Sequence, residues 1–453
     1  MRWLAFALAL TLFLPRMAAA EEVTEFTLDN GLQVVVIEDH RSPAVVHMMW
    51  YRAGAADEPP GVSGVAHLLE HLMFKGTENM EAGEFSRVVE LNGGSDNAFT
   101  SWDMTAYFQR VAGDRLGLMM QMEADRMTNL QITPAEVATE LEVVLEERRQ
   151  RVDSSPGALY REQHRAAQYL NHPYGRPIIG WPQEVASLET EDTLAFYRTY
   201  YAPNNAILIV AGDADPDQVR RLAEEHYGPI PANPDLPERE RVAEPPQLAE
   251  RRLDFRDARI AQPYLTRSYL APAREAGDQT TAAALDLLSE YLGGSAATSY
   301  LGRRLQFDSE VALYTGAFYD ATSFDPGTFN LTVAPVPGVT LDEAEAALDA
   351  AIADLLENGL DAERLDRIKR QAEASLIYAK DNVQGLARLY GTALTSGLSV
   401  ADVQAWPDAI AAVTAENVVA AAEAVLVTER SVTGHVNAPD APRDGAALNE
   451  VSQ

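Results

Sequence analysis

Hydrophobic positions recur along the chain with two periods, and the switches between them mark out the elements. After the turn Asp29-Asn30-Gly31, Leu32, Val34 and Val36 share one face while Gln33, Val35 and Ile37 share the other. Alternation of this kind predicts two strands within residues 22–37, joined by that turn. Ala44–Tyr51 predicts a further strand, and Asn97–Arg110 a strand pattern broken by a turn at Trp102-Asp103. Between them, Gly64–Gly76 spaces Val65, Leu68, Leu69, Leu72 and Met73 so that they share one arc of a helix. Ser63 is the expected cap and Gly76 the expected stop. Ala82–Leu91 is a second amphipathic segment, and Arg115–Met127 a helix whose methionines read as core filler. Thr133-Pro134-Ala135-Glu136 is a capping box with proline in the first turn, and it opens a helix running to about Val152. Its buried arc is Val137, Leu141, Val144 and Leu145. Helices over Glu191–Tyr201 and Pro216–Tyr227, the latter capped by Asp215, flank a buried strand at Ala206–Ala211.

Pro229–Pro246 contains six prolines and many charges, which predicts a linker. Beyond it the order of elements recurs. Ala258–Tyr269 gives a strand pattern, Thr280–Leu292 a helix, and Ser309–Tyr319 and Thr328–Pro335 strands. Helices follow at Leu341–Asn358 and Asp361–Tyr378, and Thr414–Val425 with Arg430–Val436 repeats the earlier helix–strand closure. The pattern predicts an α+β protein of two homologous units, each a mostly antiparallel sheet with helices packed on one face. The expected boundaries are 21–228 and 247–437, joined by 229–246, with 438–453 a loose polar tail.

The polar arc of the Gly64–Gly76 helix carries His67, Glu70 and His71. Histidines one turn apart can share a tetrahedral metal, and a glutamate three residues after the first can reach a water on that metal. The chain has only eight histidines, so the H-x-x-E-H pentad is informative. On the Thr133 helix, Glu140 and Glu147 lie almost in line beside the buried arc, while Glu142 and Glu146 face solvent. Such a pair serves either a metal site or a flank of ion pairs with Arg148 or Arg151. The equivalent helix of the second unit, around Leu285–Tyr291, has no histidine, so only the first unit is expected to hold metal.

Residues 1–20 have a basic start, an apolar run and Ala18-Ala19-Ala20 before Glu21, the pattern of a secretory signal peptide. No later stretch is apolar and long enough to span a bilayer. Removing Arg2 and Arg16 with the signal leaves 34 basic against 68 acidic residues, a net charge near −34. That balance argues against nucleic acid and anionic membranes as partners. The composition, rich in Arg and Ala and free of cysteine, suits the periplasm of a Gram-negative bacterium.

With these residues in view, the chain resembles the insulinase/pitrilysin family of zinc metallopeptidases, in a short bacterial form similar to mitochondrial processing peptidase subunits. The resemblance rests on His67-x-x-Glu70-His71, on Glu140 and Glu147 downstream, and on His172-Pro173-Tyr174-Gly175 with Tyr200-Tyr201-Ala202-Pro203-Asn204-Asn205. It implies that His67, His71 and Glu147 ligate one Zn2+ per chain, with Glu70 as the general base and Glu140 as a supporting carboxylate. It further implies that Asn97, Ala98, Phe99 and Thr100 form a strand edge that takes up substrate as an added strand. The implied activity is endopeptidase cleavage of peptides or unfolded segments. The competing expectation is a non-catalytic or assembly subunit, which should lack one of the four metal-site residues. Tyr314 fits a substrate-holding position of the second unit, but Phe307 stands where the family pattern has an arginine, and Arg303 and Arg304 are out of step. That departure implies a dimer, a heterodimer with a related subunit before a homodimer.

Overall fold

The computed structural model describes residues 23–439. The expected signal peptide and nearly all of the expected tail lie outside the described residues. The strands, in chain order, are β1 (Val23–Thr27), β2 (Gln33–Glu38), β3 (Ala44–Tyr51), β4 (Gly76–Thr77), β5 (Ser95–Thr100), β6 (Thr105–Ala112), β7 (Leu130–Gln131) and β8 (Ala206–Gly212), then β9 (Arg251–Arg256), β10 (Tyr264–Ala271), β11 (Ala312–Tyr319), β12 (Gly327–Pro335) and β13 (Ser431–Asn437). The first sheet has the order β1-β2-β8-β3-β6-β5, and β4 pairs separately with β7. The second sheet has the order β11-β12-β10-β13-β9.

The duplication predicted from the order of elements extends to topology. In the first sheet β2 runs parallel to β8 and the remaining pairs are antiparallel. In the second, β9 runs parallel to β13 and the rest are antiparallel. Hence β2-β8-β3-β6-β5 corresponds strand for strand to β9-β13-β10-β12-β11. The strand expected over Ala258–Tyr269 begins only at Tyr264, and the repeat is completed by β9, which the apolar pattern did not disclose. In Arg251–Arg256 charged residues alternate with half-buried ones, so the strand leaves little hydrophobic signal. Helices at Val383–Thr395 and Val400–Ala412 were also not anticipated.

Each sheet uses one face for its own unit. Val34, Val36, Met49, Tyr51, Tyr107 and Leu208 pack with Val65, Leu68, Leu69 and Leu72 of the histidine helix in one core. The opposite face, with Val35, Met48, Trp50 and Ile209, is covered by Leu386, Ala387, Tyr390 and Leu394 of the second unit. Gly391 lies so close that a Cβ there would meet Trp50 Cε2 at 2.0 Å, so no larger residue fits. The exchange is reciprocal. Helix Pro156–Gln168 of the first unit lies on the second sheet, where the Tyr160 hydroxyl pairs with that of Thr266 and His164 Nε2 meets the Val432 carbonyl at 3.2 Å.

The proline-rich segment holds no regular element between His226 and Arg251, yet it is not a loose spacer. Arg241 reaches Asp57 (3.0 Å), Asp103 (2.5 Å) and Asp325 (3.0 Å), so one buried guanidinium ties the segment to both units. Several carboxylates around one arginine are what offsets the desolvation of such a charge. His172 and Tyr174 join the same junction, with His172 Nε2 3.0 Å from Asp325 and the Tyr174 hydroxyl donating to Asp103 at 2.7 Å.

Candidate active site

The histidine helix runs from Val65 to Leu72, shorter than expected at both ends. Gly64, at φ +93°, is the N-cap residue, and a Cβ there would meet the Ile179 carbonyl oxygen at 2.8 Å. Ser63 does not cap the helix, because its hydroxyl accepts from the Trp181 backbone N–H at 2.9 Å. The free first-turn donors go instead to the buried Glu58 carboxylate, which accepts from Gly64 N (3.0 Å) and Ala66 N (2.9 Å). Burial pushes the Glu58 carboxyl up to about 8, and the two backbone donors oppose that shift. Gly76 does not stop the helix: it already belongs to β4.

His67 is not on a solvent face, since only 8% of it is exposed beneath the Thr133 helix. That helix keeps its predicted cap, Glu136 N donating to Thr133 Oγ1 at 3.3 Å and Thr133 N to Glu136 Oε2 at 2.8 Å. It continues through a wider turn, Arg149–Asp153. Its phase brings Glu147 Oε2 to 3.7 Å from His67 Nε2 and 3.4 Å from His71 Nε2. The donor atoms of His67, His71 and Glu147 all lie within 4.8 Å of one another. Glu146 turns outward to Arg149 (2.8 Å) and Gln150 (2.9 Å).

The trio fits zinc on its own geometry. Ligands about 2.0–2.2 Å from a tetrahedral ion stand roughly 3.3–3.6 Å apart, close to the observed separations. Glu147 Oε2 is buried with no hydrogen-bond partner. Its other oxygen is held by Arg151 at 2.6 Å, while Arg148 pairs with Glu162 at 2.7 Å. An ion pair and a metal-facing oxygen therefore coexist on Glu147. Glu140 Oε2 lies 3.4 Å from His71 Nδ1, and Glu140 Oε1 meets the Lys75 ammonium. A proton on Nδ1 facing Glu140 leaves the Nε2 lone pair directed at Glu147 and the centre of the trio.

Burial, with His71 alongside, lowers the His67 pKa to about 4. Burial also depresses His71, but Glu147, Glu70 and Glu140 outweigh it and the net shift is upward. Glu147 is lowered, first by its contact with His71. Glu70 is raised, because burial outweighs the hydrogen bond from Thr100. That bond, Thr100 Oγ1 to Glu70 Oε2 at 2.6 Å, joins β5 directly to the histidine helix.

A cleft of about 690 Å³ is lined by His67, Glu70, His71 and Glu147, and by all four expected strand residues, Asn97, Ala98, Phe99 and Thr100. Those four lie on β5, the free edge of the first sheet. They do not point alike. Thr100 reaches Glu70, whereas Phe99 packs edge-on against Trp50 at 5.3 Å, on the far face. Tyr314 is not among the residues lining the cleft: it lies on β11, the edge of the other sheet, and is 57% exposed. Phe307 is likewise exposed, and Arg304 is tied to Asp354. Sequence reasoning offered Arg151 as an ion-pair partner on this helix but missed the Thr100–Glu70 bond, the Lys75 partner of Glu140, and Trp102, Arg161 and Arg165 in the cleft wall. Only the arginines seven and three residues before Gln168, one turn apart on a helix, offered any prior signal.

Comparison with known proteins places the chain in a family. Residues 33–181 match the family described as insulinase (peptidase family M16), and residues 187–372 match the peptidase M16 inactive domain. The zinc protease PqqE of Helicobacter pylori is 31% identical over 391 residues, 84% of either chain. A probable mitochondrial-processing peptidase subunit beta of Schizosaccharomyces pombe is 31% identical over 202 residues, 45% of this chain and 44% of that one. Among solved structures, a protease from Helicobacter pylori superposes with a TM-score of 0.85 at 27% identity, covering 92% of this chain and all of that one. The periplasmic protease PqqL of Escherichia coli shares the fold, with a TM-score of 0.79 at 20% identity over 92% of this chain and 48% of its own. The chain belongs to the insulinase family of peptidases, family M16. Its relatives include proteins named zinc proteases, and the residues matching the domain described as inactive lie beyond the His67–His71 motif.

Proposed function

We propose that the chain is a zinc-dependent endopeptidase, with His67, His71 and Glu147 holding one Zn2+ and Glu70 acting as general base. The observation that carries this reading is the convergence of three donor atoms, Glu147 Oε2 among them buried and without a hydrogen-bond partner, beside a fourth, half-buried carboxylate. When bound, zinc supplies Lewis acidity, which polarises a peptide carbonyl and brings the pKa of a water toward neutrality. Glu70 takes the proton from the attacking water and returns it to the departing amine. Its raised pKa makes it a stronger base toward that water than a carboxylate of ordinary acidity. Thr100 fixes one Glu70 oxygen and leaves the other for the water. Glu140 orients His71, and Arg151 holds Glu147 by the oxygen that does not face the histidines.

Substrate would bind as a strand added to the free edge of β5, which among the described residues pairs only with β6. Peptides and unfolded segments can present such a strand, and rigid folded proteins cannot. Zinc analysis and peptide hydrolysis in wild type and Glu70→Gln test the assignment. The variant should keep one zinc per chain and lose hydrolysis; loss of zinc equal to that of His67→Ala would overturn the role of Glu70.

A dimer belongs to the same reading. Tyr314 stands exposed on β11 away from the metal cleft, Phe307 supplies no charge, and Arg304 is engaged by Asp354. The site therefore lacks a partner surface that a second subunit would provide, a related chain before a second copy. A monomer with full peptidase rate, by solution mass and kinetics, would refute this. The working compartment we propose is the periplasm, with domains 21–228 and 247–437 in the mature protein. No helix of the described residues is long and apolar enough to cross a membrane. Cell fractionation checks the compartment.

A further inference from the structure

The cleft that holds the metal-binding trio continues past the end of β5, over Trp102 and onto helix Pro156–Gln168. Arg161 and Arg165 stand there one turn apart, on the same side of that helix. Both also line an adjoining pocket of about 250 Å³, walled by Thr266, Ser268, Thr328 and Asn330 of the second sheet. The two arginines thus sit where the cleft and the polar pocket meet.

Their pairing sets them apart from the other guanidinium groups nearby. Arg148 is bound by Glu162 at 2.7 and 2.9 Å, and Arg151 by Glu147 at 2.6 Å. Among the described residues, neither Arg161 nor Arg165 has a carboxylate within ion-pair distance. In a chain with 68 acidic and 36 basic residues, an arginine without a carboxylate needs a reason. Arg165 is fixed in place: its guanidinium lies 3.9 Å over the Trp102 ring and donates to the Tyr174 carbonyl at 3.5 Å. Burial lowers its pKa, and the longer-range attraction of Tyr169 and Asp320 does not offset that. The charge is desolvated in place, and the protein supplies only part of the compensation. Glu162, the acid nearest in sequence, is occupied by Arg148.

We propose that Arg161 and Arg165 form a carboxylate-binding subsite beside the scissile position, so that preferred substrates are peptides carrying an acidic group within a few residues of the cut bond. This rests on the peptidase reading above. A guanidinium presents paired donors that match a carboxylate, and binding there supplies the counter-charge that Arg165 lacks. Trp102 follows Thr100 by two residues, so a peptide laid along β5 and continuing past Thr100 brings its next side chains over the Trp102–Arg165 stack. The same charges repel lysine and arginine at that position, so selection operates in both directions.

The test uses one peptide series that differs only in a single residue, scanned on either side of the cut, as Glu, Gln or Lys, with free and amidated C-termini. Hydrolysis is measured with the zinc-loaded wild type, and binding of the uncut fluorescent peptides with zinc-loaded Glu70→Gln. The wild type should favour Glu over Gln at one position by about tenfold, equivalent to about 1.4 kcal/mol. In Arg161→Gln/Arg165→Gln that ratio should fall to near one, and in Arg161→Glu it should turn toward Lys. Reading ratios within each variant removes any general loss of folding or metal. Arg161 is exposed, so its single variants avoid disturbing the Trp102 stack. A preference that survives amidation assigns the side-chain carboxylate, and one that amidation abolishes assigns the substrate C-terminus; either upholds the subsite. Equal Glu and Gln ratios in wild type and variants, in both assays, would overturn it. Selective binding without hydrolysis would uphold the subsite and refute the peptidase reading.

Discussion

Glu140 touches no substrate and holds no metal in the proposed site, so its replacement isolates the effect of orienting a ligand. In Glu140→Gln the carboxylate facing His71 Nδ1 becomes an amide of the same size. Partners of this kind are generally worth 10–100-fold in metal affinity, about 1.4–2.7 kcal/mol. The contact with His71 is 3.4 Å, longer than a good N–H···O bond. This places the expected loss at the lower end, about tenfold. The Lys75 ammonium, now bound to Glu140, would lose its counter-charge close to the metal and weaken binding in the same sense. Zinc affinity is read by competition with a chromogenic chelator at neutral pH, and kcat at saturating zinc in parallel. The expected result is weaker zinc with most of kcat kept. An affinity within about twofold of wild type would show that Glu140 does not act through His71. A loss as deep as that of His71→Ala would make Glu140 a ligand, contrary to the geometry.

Three further outcomes are expected. Glu147→Gln should strip zinc while Glu146→Gln leaves metal content unchanged, since Glu146 is exposed and engaged by Arg149 and Gln150; metal analysis of the two purified variants decides. Glu58→Ala removes both side-chain acceptors at the start of the histidine helix and should lower stability by about 1–2 kcal/mol, read by denaturant unfolding, with weaker zinc binding as a consequence. Burial holds the pKa of His164 at about 4 against the second sheet, below its unfolded value near 6.5. As pH falls, the unfolded state takes the proton first, so this contribution is complete above about 6.5 and is lost progressively toward 4. His164→Asn should flatten that part of the wild-type melting-temperature profile between those pH values, and an unchanged profile would refute the assignment.

Local periodicity sufficed wherever an element's signal was contained in its own residues. Ala44–Tyr51 and Leu341–Asn358 begin and end where their patterns do, and the Thr133 cap forms as its four residues require. The pentad His67–His71 and the line from Glu140 to Glu147 were legible because helical phase is set by sequence alone. What sequence could not decide is which partners a side chain meets across the fold. Ser63 has the chemistry of a cap, but Trp181 takes its hydroxyl and the more distant Glu58 caps the helix. Arg251–Arg256 forms a strand because β13 pairs with it, not because its own pattern demands one. The Val383–Thr395 helix buries its apolar face on the other unit's sheet, an association that no window of sequence contains. The same holds for the candidate site. Sequence supplied the proposed metal ligands and the proposed base, which lie on two helices with strong patterns of their own. Tertiary packing alone decided that Thr100 holds Glu70 and that Glu147 Oε2 faces both histidines, because those contacts depend on distances between elements far apart in sequence that meet only in the fold.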